Sequence, residues 1–313
     1  MDQSTLRRLK VGIYLPHAEY MMDGQTARWR DLIAMTQRAE VLGFDSVWVG
    51  EHFFYQYPEP QDWLGGHARA GSWDCWSVLA AVAAVTERIE LGPLVSCTSF
   101  HNPALLATKA ATIEEVSGGR LILGLGAGWN EAEYHAIGYP FDHRVSRFEE
   151  AFTIIRTLLR EGHIDFEGTY YQARACELRP RGPRTAGPPI LIGSSSPRML
   201  RLAARYADQW NGWLAGDSRA EEVAPLRALV DEACNEVGRD PATLERTVTV
   251  GVNPTAGRGN ADASVLAGSP EMLAEALRAF AREGISHIQI WFEPMTLASI
   301  EAFAPTLKLL GRP

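Results

Sequence analysis

The chain has 313 residues, 46% of them hydrophobic and 22% charged, which excludes a disordered or collagen-like polypeptide. Its net charge is −8 and no basic block stands out, which argues against a nucleic-acid partner. Length alone would allow two domains, but α/β barrels of about 250 residues often fold as one, so a single domain over 1–313 is expected.

Strand-like and helix-like segments alternate from end to end. Residues 11–15 (VGIYL) form a first strand stopped by Pro16. Apolar residues at helical spacing follow from Trp29 to Leu42, with Gly43 suited to a left-handed cap. Residues 46–49 (SVWV) are the second strand, and Asp74 is placed to cap a helix ending at Val85. Residues 89–95 are the third strand, Asn102-Pro103 opens the next helix, and 121–125 is the fourth strand. Helix 147–161 precedes strand 190–192 and helix 197–206. Strand 209–212, helix 220–237, strand 247–252, helix 270–283, strand 287–292 and a helix through Leu310 complete the series. Several strands are unbroken apolar runs, as a sheet covered on both faces requires.

Eight strand–helix rounds predict a (β/α)8 TIM barrel, with an open doubly wound sheet as the alternative, because periodicity does not report closure. The residues in excess of a minimal barrel fall in insertions after strands two, four and seven, at 53–73, 163–189 and 255–268. The cysteines Cys75, Cys97, Cys176 and Cys234 form no C-x-x-C pair, so reduced thiols in a cytoplasmic protein without a metal site are expected. The most apolar stretch, near 78–85, is too short for a membrane span.

In a barrel, chemistry sits at the C-terminal ends of the strands. There, Gly193, Ser194, Ser195 and Ser196 open a helix, so they are either an anion cradle or a plain cap by Ser196. Gly124, Gly126 and Gly128 mimic a dinucleotide fingerprint, but its third glycine would fall on Trp129. These glycines either admit a flat ring close to the backbone or make a tight turn. His52 ends the second strand as a general acid–base or a structural histidine; Glu51 is a candidate to orient its imidazole, although an adjacent residue on a strand points the other way. His17, His101 and His143 are weaker candidates. Phe53, Tyr55, Tyr57, Trp63, Trp73 and Trp76 wall an apolar pocket or form a small core of their own. A glycoside hydrolase would need facing carboxyls; Glu51 and Glu293 sit at strand ends, but strands four and seven end in Gly126-Ala127 and Asn253.

Four ordered segments carry a resemblance. GFDSVWVGEHFF (43–54), LGPLVSCTSFHNPALLATKAATIEEVSGGRLILGLGAGWNEAEY (91–134), RFEEAFTIIRTLL (147–159) and PPILIGSSSPRMLRLAARYADQWN (188–211) together resemble the bacterial luciferase-like monooxygenase superfamily. The resemblance implies a barrel that binds reduced FMN or the 5-deazaflavin coenzyme F420. It gives His52 the catalytic position, Leu94-Val95 a non-prolyl cis peptide facing the ring, and Asn130 a cofactor contact. Gly193, Ser194, Ser195 and Ser196 match the phosphate-binding turn, and Ser96, Cys97 and Thr98 are placed with the cofactor, Cys97 and Thr98 lying beside the polar position that family members use near the ring carbonyls. GAGWNEAEY together with ARYADQWN is most similar to the deazaflavin branch, which implies hydride transfer to or from a small organic substrate. An FMN-dependent monooxygenase and a non-catalytic flavin-binding protein are the alternatives. The adjacent histidines of true luciferases are replaced by His52-Phe53, so aldehyde bioluminescence is not implied. Family analogy adds a homodimer.

Overall fold

A computed structural model describes residues 9–256 and 264–311. In chain order the first elements are β1 (Lys10–Tyr14), α1 (Trp29–Leu42), β2 (Ser46–Val49), β3 (Phe54–Gln61), β4 (His67–Gly71) and α2 (Cys75–Val85). Next come β5 (Glu90–Pro93), β6 (Ser96–Cys97), α3 (Pro103–Val116), β7 (Leu123–Gly126), α4 (Glu131–Ile137) and α5 (Arg144–Glu161). The middle holds β8 (His163–Glu167), β9 (Gln172–Glu177), β10 (Ile190–Gly193), α6 (Pro197–Tyr206), β11 (Gln209–Leu214) and α7 (Val223–Glu236). The chain closes with β12 (Glu245–Asn253), β13 (Val265–Ala267), α8 (Pro270–Arg282), β14 (His287–Phe292) and α9 (Leu297–Leu309).

All eight predicted strand–helix rounds are present, and local chemistry sets their limits. Gly43 ends α1 at φ 86°, where its N–H reaches the Ala39 and Glu40 carbonyls. The Asp74 carboxylate accepts the Ser77 N–H at 2.7 Å, and Asn102 caps α3 with Pro103 behind it. Three expectations need correction. The third strand does not run unbroken over 89–95: β5 stops at Pro93, the Leu94–Val95 peptide is cis, and pairing resumes at β6. The helix expected from 147 starts at Arg144, and the extra helix α4 precedes it. Insertions 53–73 and 163–189 contain the antiparallel hairpins β3–β4 and β8–β9. Two prolines in β3 hide it from a propensity reading, yet a two-stranded ribbon tolerates them because both its strands are edges. Of insertion 255–268, residues 257–263 lie outside the described residues.

The chain divides into two compact units. The first takes in the chain to Leu15, Arg28–Trp48 and everything from Ser194 onward. Its strands are parallel in the order β2-β1-β14-β12-β11, with β13 on β12. Along β14 the apolar Ile288, Ile290 and Phe292 alternate with His287, Gln289 and Trp291, so one face packs apolar side chains while the other carries polar ones. On that polar face Asn211 Nδ2 donates to Thr247 Oγ1 and Gln289 Oε1, each at 2.9 Å. Trp48 Nε1 donates to Ser46 Oγ at 2.7 Å, and Gly12 is glycine because a Cβ would collide with that hydroxyl.

The second unit comprises Pro16–Ala27 and Val49–Gly193. Here β10, β7 and β6 pair in parallel, and β5 joins them through a Leu91–Leu121 bridge. The Arg120 guanidinium stitches the helix side to the strands by donating to the carbonyls of Ala83, Thr86, Ile89 and Ser117. Among the described residues no helix is long and apolar enough to cross a membrane, and no His, Cys, Asp and Glu cluster could hold a metal.

Candidate active site

His52 follows the end of β2 and is held from the far side of the unit by α4. Its Nδ1 lies 2.9 Å from Glu133 Oε2. The other Glu133 oxygen accepts the Phe53 N–H at 2.6 Å and the Phe54 N–H at 3.2 Å, and Asn130 Nδ2 donates to the Phe54 carbonyl at 3.1 Å. The first turn of α4 therefore fixes both the imidazole and the backbone after it. The Glu133 side chain is 1% exposed and that of His52 is 16% exposed. A carboxylate on Nδ1–H fixes the tautomer and the ring orientation, leaving Nε2 as the proton-exchanging atom. Nε2 makes no hydrogen bond among the described residues.

Glu51 does a different job. Its carboxylate is engaged by Ser96, Cys97 and His101 and does not orient His52. Its Oε2 accepts the Ser96 hydroxyl and the Cys97 N–H, both at 2.8 Å, while Oε1 is 2.7 Å from His101 Nε2. Lys109 Nζ sits 3.3 Å from His101 Nδ1, which makes Nε2 the donor toward Glu51. Glu51 is thus a buried clamp on β6, the segment just after the cis peptide.

The Leu94–Val95 bulge explains the glycines. A Cβ on Gly126 would approach Val95 Cγ2 to 2.6 Å, one on Gly193 would approach Val95 Cγ1 to 3.1 Å, and one on Gly124 would collide with the Pro93 carbonyl. Gly126 and Gly193 make room for the Val95 side chain, and Gly124 for the Pro93 carbonyl. On the same stretch the side chains of Ser96, Cys97 and Thr98 are buried and already engaged. Ser96 serves Glu51, and Thr98 Oγ1 reaches the Gly126 carbonyl at 3.5 Å. Cys97 Sγ lies 3.1 Å from Tyr134 OH, which donates to the Ala127 carbonyl at 2.8 Å. Burial pushes the Cys97 thiol up to about 12, against a smaller downward pull from the Tyr134 hydrogen bond. Asn130, expected at the cofactor, has its amide on Phe54 instead.

The Gly193 to Ser196 turn separates the two readings made of it. Ser196 is the N-cap residue of the ten-residue α6, yet its side chain accepts no capping hydrogen bond. The Ser196 N–H goes to Ser194 Oγ at 3.2 Å, and the Ser194 carbonyl accepts Trp210 Nε1–H at 2.7 Å. Ser195 and Ser196 are exposed. The turn is pinned by Trp210 while two hydroxyls at a helix N-terminus face outward, a donor set suited to an anion.

Aromatic rings crowd His52. Tyr55 lies 4.4 Å and Trp129 5.5 Å from the imidazole, centroid to centroid. Tyr57 is 6.4 Å from Trp129, and Trp63 stands edge-on to Tyr55 at 4.9 Å. His17 Nε2 is 3.0 Å from Tyr55 OH, which fixes that ring from behind. Trp73 and Trp76 are not part of this wall: Trp73 Nε1 donates to the Ala27 carbonyl, and Trp76 packs edge-on to His101. His143 adopts a left-handed conformation ahead of α5. In the first unit Tyr14, Trp213 and Trp291 form a second ring cluster, at 5.1 to 6.2 Å, near the C-terminal ends of β1, β11 and β14. Sequence reasoning missed Glu133; the acid-rich GWNEAEY segment after β7 was its only local signal.

Comparison with known proteins fits this geometry. The profile of the luciferase-like monooxygenase family matches residues 9–265. An F420-dependent glucose-6-phosphate dehydrogenase of Intrasporangium calvum is 34% identical over 71% of the chain, which spans 64% of that relative. An F420-dependent hydroxymycolic acid dehydrogenase of Mycobacterium tuberculosis is 32% identical over 75% of the chain and 60% of its own length. Among solved structures, an F420-dependent secondary alcohol dehydrogenase in complex with an F420–acetone adduct superposes with a TM-score of 0.79 at 20% identity, covering 97% of this chain and 99% of its own. The monooxygenase RslO1 from Streptomyces bottropensis gives 0.78 at 21%, covering 96% and 99%. The fold is the (β/α)8 barrel expected from the eight rounds. The chain belongs to the luciferase-like monooxygenase family.

Proposed function

We propose that the chain works as one luciferase-like domain over 1–313 and is an F420-dependent oxidoreductase, with His52 as acid–base in hydride transfer involving a small organic substrate. The observation that carries this reading is the His52–Glu133 pair, which holds an imidazole in one orientation and leaves Nε2 unengaged. The F420 dependence of the curated relatives supports the choice of cofactor.

Each unit carries residues suited to one part of a phosphate-bearing flat cofactor. Outward serine hydroxyls at the start of α6 suit its anionic tail, and the Val95 side chain, which Gly126 and Gly193 leave room for, offers an apolar surface suited to its ring. Gly193, Ser194, Ser195 and Ser196 would hold the phosphate, and Leu94 and Val95 would meet the ring. The side chains of Ser96, Cys97, Thr98 and Asn130 are engaged in the framework, so their roles are to shape that wall and to offer backbone groups. When bound, the deazaflavin supplies a carbon that takes or gives a hydride. Nε2 of His52 takes the hydroxyl proton of an alcohol substrate as its hydride departs, or returns it in the reverse direction. Glu133 keeps the imidazole aligned. The β3–β4 aromatics keep water from that proton.

All four cysteines are free thiols, which supports a reducing compartment such as the cytoplasm. The homodimer is proposed by analogy with the family alone, and light scattering would test it. The functional reading itself is tested by fluorescence titration with F420 and with FMN. F420 should bind more tightly, and His52→Ala should keep that affinity within a few-fold while turnover is lost. Preference for FMN would move the chain to the monooxygenase chemistry of the same fold.

A further inference from the structure

We propose that Lys109 is an acylation site: a lysine amine that a carboxylate-held histidine prepares to take an acyl group from a thioester. The site lies in the second unit, away from the His52 imidazole, and does not depend on the cofactor reading.

Three observations converge. First, lysine is rare in this chain. Only three of its 30 basic residues are lysines: Lys10, Lys109 and Lys308. Where the second unit needs a framework cation it uses arginine. Arg120 donates to the Ile89 carbonyl, and Arg184 donates to the Glu114 carboxylate. A guanidinium stays protonated in proteins, whereas an amine can lose its proton and act as a nucleophile. Second, Lys109 meets a base. It lies in the second turn of α3, and helical side chains lean toward the helix N-terminus, so its stem runs back toward His101, two residues before the helix begins. Its Nζ is 3.3 Å from His101 Nδ1. The Glu51 carboxylate, 2.7 Å from Nε2, keeps a hydrogen on that nitrogen and the lone pair on Nδ1, facing the amine. A nucleophile beside a base that a third group orients is the arrangement by which proteins activate weak nucleophiles. Third, burial divides the three groups in the useful sense. The Glu51 and His101 side chains are 7% and 11% exposed, and Trp76 packs edge-on to the imidazole at 6.3 Å, so the base is held in place. Lys109 itself is exposed, so an acyl donor reaches the amine from solvent.

The ammonium releases one proton to water through Nδ1. The neutral amine then attacks the acyl carbon, the C–S bond breaks, and the second amine proton passes through Nδ1 to the departing thiolate. The products are an amide on Nζ and a free thiol, with no change of oxidation state.

S-phenyl thioacetate, small and uncharged, is the probe. The folded full chain is treated with it, and acetylation at each lysine is followed in time by peptide mass spectrometry. Lys308 is the reference within the same molecule: it is exposed on α9, and its amine makes no hydrogen bond or ion pair among the described residues. Lys109 should acetylate at least about tenfold faster than Lys308. His101→Gln keeps an N–H for Glu51 and removes the base, so the two rates should fall within about threefold of each other. His101→Asn, with no imidazole either, should give the same equality, and circular dichroism checks that both variants are folded. Unfolding the unsubstituted chain in urea should also equalise the two lysines. Equal rates in the folded unsubstituted chain would overturn the proposal. So would an excess at Lys109 that survives both folded variants or persists in urea.

Discussion

Two acid–histidine pairs lie within a few residues of one another and do opposite work. Glu51 and His101 face each other at 2.7 Å, and the other oxygen of that carboxylate accepts from Ser96 and Cys97. Glu133 and His52 meet at 2.9 Å, but the imidazole keeps one nitrogen unengaged beside exposed aromatic surface. The first pair is a framework clamp whose imidazole serves the chain's own Lys109, and the second is equipped for proton transfer with a bound molecule. Residue type alone does not distinguish them; what each histidine leaves unsatisfied does.

Substitutions at four positions and one pH dependence break or sharpen this contrast. His52→Ala should reduce turnover by about 100- to 10,000-fold with F420 affinity within a few-fold, read by steady-state kinetics and titration. Glu133→Gln should lower kcat by on the order of 10- to 100-fold while KM and F420 affinity hold, with Glu133→Asp recovering part of it. A loss of F420 affinity equal to the loss of kcat would mean that Glu133 acts on the fold and not on His52. On the clamp side, Glu51→Ala strands a serine hydroxyl, a backbone N–H and an imidazole, and should cost about 3 kcal/mol in urea unfolding. Ser196→Ala should weaken F420 by about fivefold and leave the unfolding midpoint unchanged, because the hydroxyl does not cap α6. The smallest effect is at Cys97. Its folded pKa is raised to about 12, so it stays protonated in the native state, and its contribution to stability is complete below the unfolded thiol value. That contribution falls as pH rises from there toward 12; resistance to an alkylating reagent at pH 8 would check it.

The two pairs also differ in how far the chain foretold them. Elements governed by neighbours a few positions away were legible: α6 and β14 occupy the predicted residues, and Gly43, Asp74 and Asn102 cap where short-range chemistry says they should. The partner of His52 was not, because Glu133 lies 81 residues away on a helix too short to show periodicity. The β3–β4 hairpin escaped for a related reason, since its pairing is with itself and its prolines suppress the strand signal. Local signals set the scaffold, and long-range pairing sets the chemistry.

The central claim is that this barrel binds a deazaflavin and sets His52 to exchange the accompanying proton. A fluorescence titration of the full chain and of His52→Ala with F420 tests it most directly when paired with the turnover of both proteins on a secondary alcohol. The account predicts micromolar binding by both and turnover only by the unsubstituted chain. Absence of F420 binding at millimolar concentration, or equal turnover by the two proteins, would contradict it.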